Sequence, residues 1–191
     1  DLWAVGHDQV IVYSGDGGLT WTMQHSDAAA AEGPLLDVLF VDNQRGYAIG
    51  AYGQFLSTTD SGAHWNEGRI SEHLAGGAVA TETVSHGEVD EQGLASTDIG
   101  EEEGDPHLNA IVQTPASLLI VGEAGAAYRS TDSGVTWTAV NIPYEGSMFG
   151  VVALDNGSVV AFGLRGNAFI TADLGSNWRR LETGTEASLL G

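Results

Sequence analysis

The 191-residue chain carries 26 acidic and six basic residues, has a formal net charge of −20 and contains no Cys, which excludes disulfides. All six basic residues are Arg, so the surface repels nucleic acid and anionic membranes, and no apolar run is long enough to span a bilayer. Abundant Gly and scarce Pro favour a turn-rich, all-β chain, and the acidity is equally typical of a salty habitat and of an acidic docking surface.

Short apolar segments recur along the chain and predict β-strands. One kind ends in Gly and occupies residues 3–6, 47–50, 119–122 and 160–163. A longer apolar run precedes three of them, at residues 35–41, 108–112 and 148–154, and polar turns such as residues 42–46 join the two kinds. The pair Asn156-Gly157 predicts a hairpin with a type I′ turn, in which both residues have positive φ.

An acidic turn motif follows each of these strand groups. Its opening Ser or Thr is followed by Asp, Gly and Trp at fixed spacing, and the four Trp residues are separated by 44, 72 and 41 residues. A period of about 40 residues with one insertion is typical of a solenoid or a propeller. The motif positions are Asp16, Gly18, Trp21; Asp60, Gly62, Trp65; Asp132, Gly134, Trp137; and Asp173, Gly175, Trp178.

Each unit is therefore predicted to form four antiparallel strands, A to D, with the acidic motif at the C–D turn. Four-stranded units of this length arranged radially make a β-propeller, and residues 1–191 hold about four blades of one propeller domain. The chain starts at a strand B and ends, at residues 187–190, in a segment that resembles a strand A. It could be part of a larger ring, half of an assembly, or a small ring whose last strand completes its first blade.

The acidic motif resembles the Asp box, or BNR repeat, of sialidases, xyloglucan-cleaving hydrolases, sortilin-type receptors and photosystem II stability/assembly factor-like proteins. The last family is the most similar, through segments such as LLDVLFVDNQRGYAIGAYGQFLSTTD and VVAFGLRG, and the resemblance covers nearly all of the chain outside residues 70–107. It implies a seven-bladed, exported propeller in the periplasm or another extracytoplasmic compartment. It also implies an assembly or scaffolding factor rather than an enzyme, with a link to RND-type membrane transporters.

The Asp box has a structural explanation that needs no ligand. Its carboxylate can accept hydrogen bonds from backbone N–H groups of its own turn, Gly supplies a left-handed conformation, and Trp shields the turn. As a calcium loop it lacks the alternating oxygen ligands and the distal Glu. The four Asp boxes are therefore predicted to be structural, and no metal or cofactor is expected.

A binding site is expected on the opposite face, where the B–C turns and D–A connections surround the channel. This channel face combines variable turn tips with recurring Gly residues, as expected of binding loops on a constant scaffold. The candidate partner-binding residues are His7, Asp8, Tyr52, Glu123 and Arg165 in B–C turns and Tyr144 in a D–A connection. Met148 and Phe149, in the same D–A connection, could contact a partner or begin a core strand. For Phe149 the start of a core strand is favoured.

Residues 70–107 form an acidic insertion within a D–A connection. A solvated loop explains them better than a metal site on His73, His86 and His107, because the spacing matches no ligand pattern.

Two functions remain after these observations. A sialidase needs a cluster of three Arg, and only Arg165 is predicted to lie at the channel face. A glycoside hydrolase needs two carboxylates across a cleft, and Asp8 and Glu123 could both face the channel, so this enzyme is the alternative. The favoured function is a non-catalytic propeller that binds a protein partner, such as a membrane protein complex or an RND-type transporter. The plant and cyanobacterial family members are described as using a basic patch, from which this acidic chain departs.

Overall fold

Four antiparallel sheets, here named I to IV, follow one another through residues 1–28, 33–75 and 104–190, which are the residues that the computed structural model describes. Sheet I contains β1 (Leu2–Val5), β2 (Ile11–Ser14) and β3 (Thr22–His25); sheet II contains β4 (Leu35–Phe40), β5 (Gly46–Gly50) and β6 (Phe55–Thr58). Sheet III contains β7 (Leu108–Gln113), β8 (Leu118–Gly122), β9 (Ala127–Ser130) and β10 (Thr138–Ala139); sheet IV contains β11 (Met148–Ala153), β12 (Val159–Gly163), β13 (Ala168–Thr171) and β14 (Arg179–Leu181). Short 3₁₀ helices span His7–Gln9, Ala51–Gly53, Ile70–His73 and Leu164–Gly166.

Each sheet is a meander in which strands adjacent in sequence pair with each other. Sheets III and IV have all four strands, and sheet I starts at strand B, as expected. In sheet II strand D is reduced to two isolated bridges, Gln54 with Arg69 and Ser57 with Asn66. The prediction of an all-β propeller made of antiparallel blades with Asp boxes is confirmed.

The predicted hairpin at Asn156-Gly157 is present, but its turn type was wrong. Gly157 has φ +80°, whereas Asn156 is not among the residues of positive φ, and the Gly157 N–H donates to the Leu154 carbonyl at 2.9 Å. A turn closed by a hydrogen bond between residues 154 and 157, with a left-handed Gly at its last position, is the usual three-residue hairpin loop. This loop is one residue longer than the predicted two-residue loop, and in it only Gly157 lies in the left-handed region.

The hydrophobic core lies between successive sheets. Side chains of alternating strand positions face opposite neighbours, so that Leu118 and Ile120 pack towards sheet II while Leu119 and Val121 pack towards sheet IV. Met148 joins the second of these clusters as a fully buried side chain at the start of β11, and Phe149 beside it is half-buried. The strand start that was favoured for Phe149 therefore lies at this position, where Met148 is the buried residue of the two.

Where a preceding sheet is present, the Trp of an Asp box packs between that sheet and its own. Trp137 is fully buried between sheets II and III, Trp65 packs on the cluster between sheets I and II, and Trp178 packs on the cluster between sheets III and IV. Trp21 belongs to sheet I, which has no preceding sheet among the described residues, and it is 46% exposed. Blade-to-blade packing therefore explains why equivalent Trp residues differ in burial.

Two polar side chains connect the first strands of neighbouring sheets. The carboxylate of Asp37 on β4 accepts a hydrogen bond from the Ile111 N–H on β7 at 2.8 Å, and the Asn109 amide on β7 donates to the Met148 carbonyl on β11 at 2.8 Å. Burial raises the pKa of Asp37 above its usual value, against the opposing effect of its backbone hydrogen bonds. These contacts join strand A of sheet II to that of sheet III, and strand A of sheet III to that of sheet IV.

Both ends of the insertion belong to the fold rather than to a solvated loop. Ile70 is fully buried, and the chain then follows Trp137, whose N–H donates to the His73 carbonyl at 2.9 Å and whose carbonyl accepts from Ala75 N–H at 2.7 Å. The acidic stretch with His86 that was predicted to be solvated lies outside the described residues. Among the described residues, the helices are too short and too polar to cross a membrane.

Candidate partner-binding face

The four B–C turns share one backbone shape, although their residues differ. In each turn the second residue is a non-Gly residue in the left-handed region, where L-residues are disfavoured by about 1–2 kcal/mol. These residues are Asp8 (φ 56°), Tyr52 (φ 52°), Ala124 (φ 50°) and Arg165 (φ 55°). A second left-handed residue follows in every turn and is Gly in three of them, at residues 53, 125 and 166; in the first turn it is Gln9.

The D–A connections lie against the same edge of the sheets. The Ala51, Glu123 and Leu164 N–H groups donate to the carbonyls of Pro34, His107 and Ser147, at 2.9–3.0 Å. The strand-ending Gly must therefore pass close to another backbone: a Cβ on Gly122 would lie 2.2 Å from the His107 carbonyl oxygen. The recurring Gly allows this approach, and the two kinds of loop form one surface, here called the channel face.

Tyr52 and Glu123 are brought together at the boundary of sheets II and III by His107. The Tyr52 ring, 49% exposed, meets the His107 ring edge to face with centroids 4.7 Å apart. On the other side, His107 Nδ1 lies 3.6 Å from a Glu123 carboxylate oxygen. Sequence reasoning placed Tyr52 and Glu123 on this face, whereas it considered His107 only as a possible metal ligand.

Arg69 also lies at this boundary, because its guanidinium donates to the Tyr52 carbonyl. The expectation that Arg165 is the one Arg of the channel face was therefore wrong. Arg69 forms the last bridge of the reduced strand D in sheet II, and its side chain reaches the B–C turn. No sequence pattern indicated this contact, since Arg69 lies outside the turn segments.

Arg165 and Tyr144 line a hollow between sheets III and IV with a volume of about 660 Å³. The Tyr144 hydroxyl donates to the Leu164 carbonyl at 3.3 Å, so this side chain supports the turn that presents Arg165. Glu145 contributes an acidic group to the same hollow, while Pro143 contributes apolar surface. The site is thus both charged and apolar.

His7 and Asp8 lie next to sheet I, apart from the Tyr52–His107–Glu123 group and from the hollow that Arg165 lines. Both are exposed, and the Asp8 carbonyl accepts from the Asp27 N–H at 2.9 Å. Next to them, the buried Gln9 amide oxygen lies 3.3 Å from His25 Nε2, and that nitrogen is also 3.6 Å from Glu67. This polar group was not found from the sequence, because its three members come from three different segments.

The carboxylates proposed for glycoside hydrolysis lie in turns of different sheets. Asp8 belongs to sheet I and Glu123 to sheet III, with the Tyr52 turn of sheet II between them, and the neighbour of Glu123 is His107. The other candidate ligands are also dispersed: the His73 ring packs on Phe55, with centroids 4.7 Å apart. Within residues 1–28, 33–75 and 104–190, no three His, Asp or Glu side chains converge as metal ligands do.

The Asp boxes lie on the opposite face, with the A–B turns. In sheet II the Ser61 hydroxyl of the Asp box donates to the Asn43 carbonyl of the A–B turn at 2.6 Å. In the third box, one Asp132 oxygen accepts from the Ser130 hydroxyl at 2.7 Å and the Thr136 N–H at 2.9 Å, and the other accepts from the Thr136 hydroxyl at 2.6 Å. The same network recurs in all four boxes, with His64 and Asn177 replacing the Thr in the second and fourth.

These hydrogen bonds hold the Asp-box carboxylates in the charged form. The side chain at the Thr position is the largest cause, and it lowers the pKa of Asp16, Asp60, Asp132 and Asp173 to about 2. Both oxygens of each carboxylate accept hydrogen bonds from their own turn. This supports the interpretation that the four Asp residues are structural.

Comparison with known proteins places this geometry in a family. The family model described as photosynthesis system II assembly factor YCF48 matches residues 1–100, just over half of the chain. The chain belongs to the YCF48 family. Photosystem II assembly lipoprotein Ycf48 of Prochlorococcus marinus is 28% identical over a match that covers 72% of this chain and 45% of the relative. The chain thus spans about half the length of the curated YCF48 relatives that it matches.

Solved structures show the same fold. A structure of YCF48 bound to a D1 peptide matches with a TM-score of 0.54 and 23% identity, over 76% of this chain and 40% of that one. The extracellular domain of a proposed one-component system from B. thetaiotaomicron matches 98% of this chain and 22% of its own, with a TM-score of 0.59 and 11% identity. At these identities the two matches show a shared fold, the β-propeller, and nothing more specific.

Proposed function

We propose that this YCF48 family chain belongs to a non-catalytic scaffold or assembly factor that binds a protein partner through the channel face. The observation that carries the proposal is the contrast within the B–C turns. Their backbones repeat almost unchanged, while their left-handed tips present an acid, a tyrosine, an alanine and an arginine. Strained positions that display side chains are more common at functional sites than elsewhere.

The relatives support the class of partner. The Prochlorococcus relative is named as a photosystem II assembly lipoprotein, and a YCF48 structure holds a D1 peptide. By analogy, the partner of this chain is a protein segment, and the chain works on the extracytoplasmic side of a membrane, close to a membrane complex. The link to RND-type transporters stays a prediction from the sequence resemblance.

Partner capture tests the channel face. The double variant Tyr52→Ala/Arg165→Ala removes two exposed tips, and Ala124 occupies the equivalent position with φ 50°, so Ala is compatible with the turn. We expect the amount of one membrane protein captured from detergent extracts to fall about tenfold, as for a pair of interface anchors. Quantitative mass spectrometry of the bound fraction measures it.

The matched control is Leu19→Ala/Val135→Ala on the Asp-box face. Leu19 and Val135 are 85% and 65% exposed, and Ala63 occupies the same position in the second box. Equal capture by wild type and the channel-face variant would reject this face as the binding surface. Glycoside turnover that disappears in Asp8→Ala/Glu123→Ala would instead reject the non-catalytic function in favour of a glycoside hydrolase.

A further inference from the structure

A hollow of about 420 Å³ lies on the channel face beside the Tyr52–His107–Glu123 group. Glu123 forms one wall, and the other lining residues are small or apolar: Gly104, Pro106, Ala124 and Ala126. The hollow with Tyr52 and His107 at its edge is called the Glu123 cradle below. Its walls combine one carboxylate with an apolar floor, which is the surface on which a long cationic side chain can lay its methylene stem while its charged head reaches an acid.

The carboxylate of the cradle is available to a ligand. It is 42% exposed, and its neighbour His107 Nδ1 lies at 3.6 Å, beyond ordinary hydrogen-bond distance. None of the described residues that line the cradle is basic, and the Arg69 guanidinium donates to the Tyr52 carbonyl. The adjoining Asp105 adds a second acid, which accepts from the Ser71 hydroxyl at 3.0 Å.

Tyr52 supplies the second recognition element. Its left-handed backbone places it at the turn tip, where about half of its surface is exposed, and its ring contacts the His107 ring that also neighbours Glu123. An aromatic ring next to an acid favours a guanidinium or ammonium group, through cation–π attraction in addition to the ion pair. The formal charge of −20 extends this preference over longer distances, since it steers positive segments towards the surface.

We propose that the Glu123 cradle binds a Lys or Arg side chain of an extended, basic segment in the protein partner. This inference rests on the proposed function and specifies its chemistry. The partner supplies the basic group, and the channel face supplies the acids Asp8, Asp105, Glu123 and Glu145.

Fluorescence anisotropy with two labelled peptides tests the cradle. One peptide alternates Lys with Ser, and the other has Glu in place of Lys. We expect the wild-type chain to bind the Lys peptide and not the Glu peptide, with affinity that falls as NaCl is raised. Glu123→Gln should weaken binding of the Lys peptide about fivefold, as for the loss of one partly exposed ion pair.

Two further variants separate the cradle from general acidity. Asp155→Asn removes the same charge from an exposed A–B turn on the opposite face and should leave the affinity unchanged. Tyr52→Ala should weaken binding while keeping the net charge. Equal loss in Glu123→Gln and Asp155→Asn, or equal binding of the two peptides by wild type, would overturn the cradle. Partner capture that requires Arg165 but tolerates Glu123→Gln would keep the proposed function and reject this inference.

Discussion

Two Trp residues at equivalent positions of the Asp boxes differ in the hydrogen bonding of their indole N–H groups. Trp137 Nε1 donates to the Gly134 carbonyl at 3.1 Å, as Trp21 and Trp178 do to the matching Gly of their own boxes. Trp65 Nε1 is buried without a partner among the described residues, and its ring packs edge to face on Phe40. The shared motif therefore does not ensure the shared contact, because neighbouring side chains set the orientation of the ring.

Trp-to-Phe substitutions should separate these two cases. Trp137→Phe loses a hydrogen bond and leaves space in a fully buried site, so we expect a loss of about 2–3 kcal/mol in the free energy of unfolding. Trp65→Phe removes an unsatisfied donor and should cost less than half as much. Urea denaturation followed by circular dichroism measures both, and a larger loss for Trp65→Phe would contradict this account.

At the scale of elements, the B–C turns depend on Gly where the chain leaves the left-handed tip. Gly166 has φ +69°, and a Cβ there would lie 1.9 Å from the Thr185 carbonyl oxygen. Gly157, in the A–B hairpin of sheet IV, has φ +80°, but an added Cβ would meet no atom within 4 Å. The two positions differ in steric contact while sharing the same backbone strain.

Gly→Ala substitutions at these positions measure the two effects separately. Gly157→Ala should cost about 1–2 kcal/mol from the left-handed backbone alone. Gly166→Ala should cost roughly twice as much, because backbone must also move away from the new methyl group. The free energy of unfolding from urea titration gives both values. Equal costs would show that the connection after β14 moves freely.

At the same scale, the sequence predicted where the turns lie but not their conformation. The Gly at the end of each strand B and the Asp, Gly and Trp of each box recur at fixed spacing, so strands B, C and the C–D turn could be located. The left-handed φ of Asp8, Tyr52 and Arg165 could not, since none of these residue types requires it. In three of the four turns the residue before the left-handed one, at position 51, 123 or 164, donates to a carbonyl of a D–A connection, a contact that no local pattern predicts.

At the scale of the whole molecule, the four Asp boxes make stability depend on acid pH in a defined direction. Each carboxylate has a pKa of about 2 in the folded state, below the usual Asp value of 3.8. A lowered pKa means that the folded state binds the proton less tightly, so the stabilisation is complete above about pH 4 and is lost as the pH falls towards 2. Asp37, with a raised pKa, has the opposite effect.

An Asp132→Asn variant isolates one of these contributions. At neutral pH the variant should be less stable than wild type, because Asn cannot accept as a charged group from both Ser130 and Thr136. The difference should shrink between pH 4 and pH 2, as Asp132 of the wild type becomes protonated. Urea titrations at several pH values measure it, and a difference that does not change with pH would assign the effect to packing.

By itself, the sequence determined the repeat, the antiparallel strands and the position of the Asp boxes, because these depend on local periodicity and on turn residues with restricted φ. Only the tertiary structure decided which variable tips come together. His107 joins Tyr52 to Glu123, and Tyr144 supports the turn of Arg165, through contacts between segments that are distant in the chain. Burial also depends on tertiary structure: the equivalent Trp residues of the Asp boxes range from fully buried Trp137 through half-buried Trp65 and Trp178 to Trp21, which is 46% exposed.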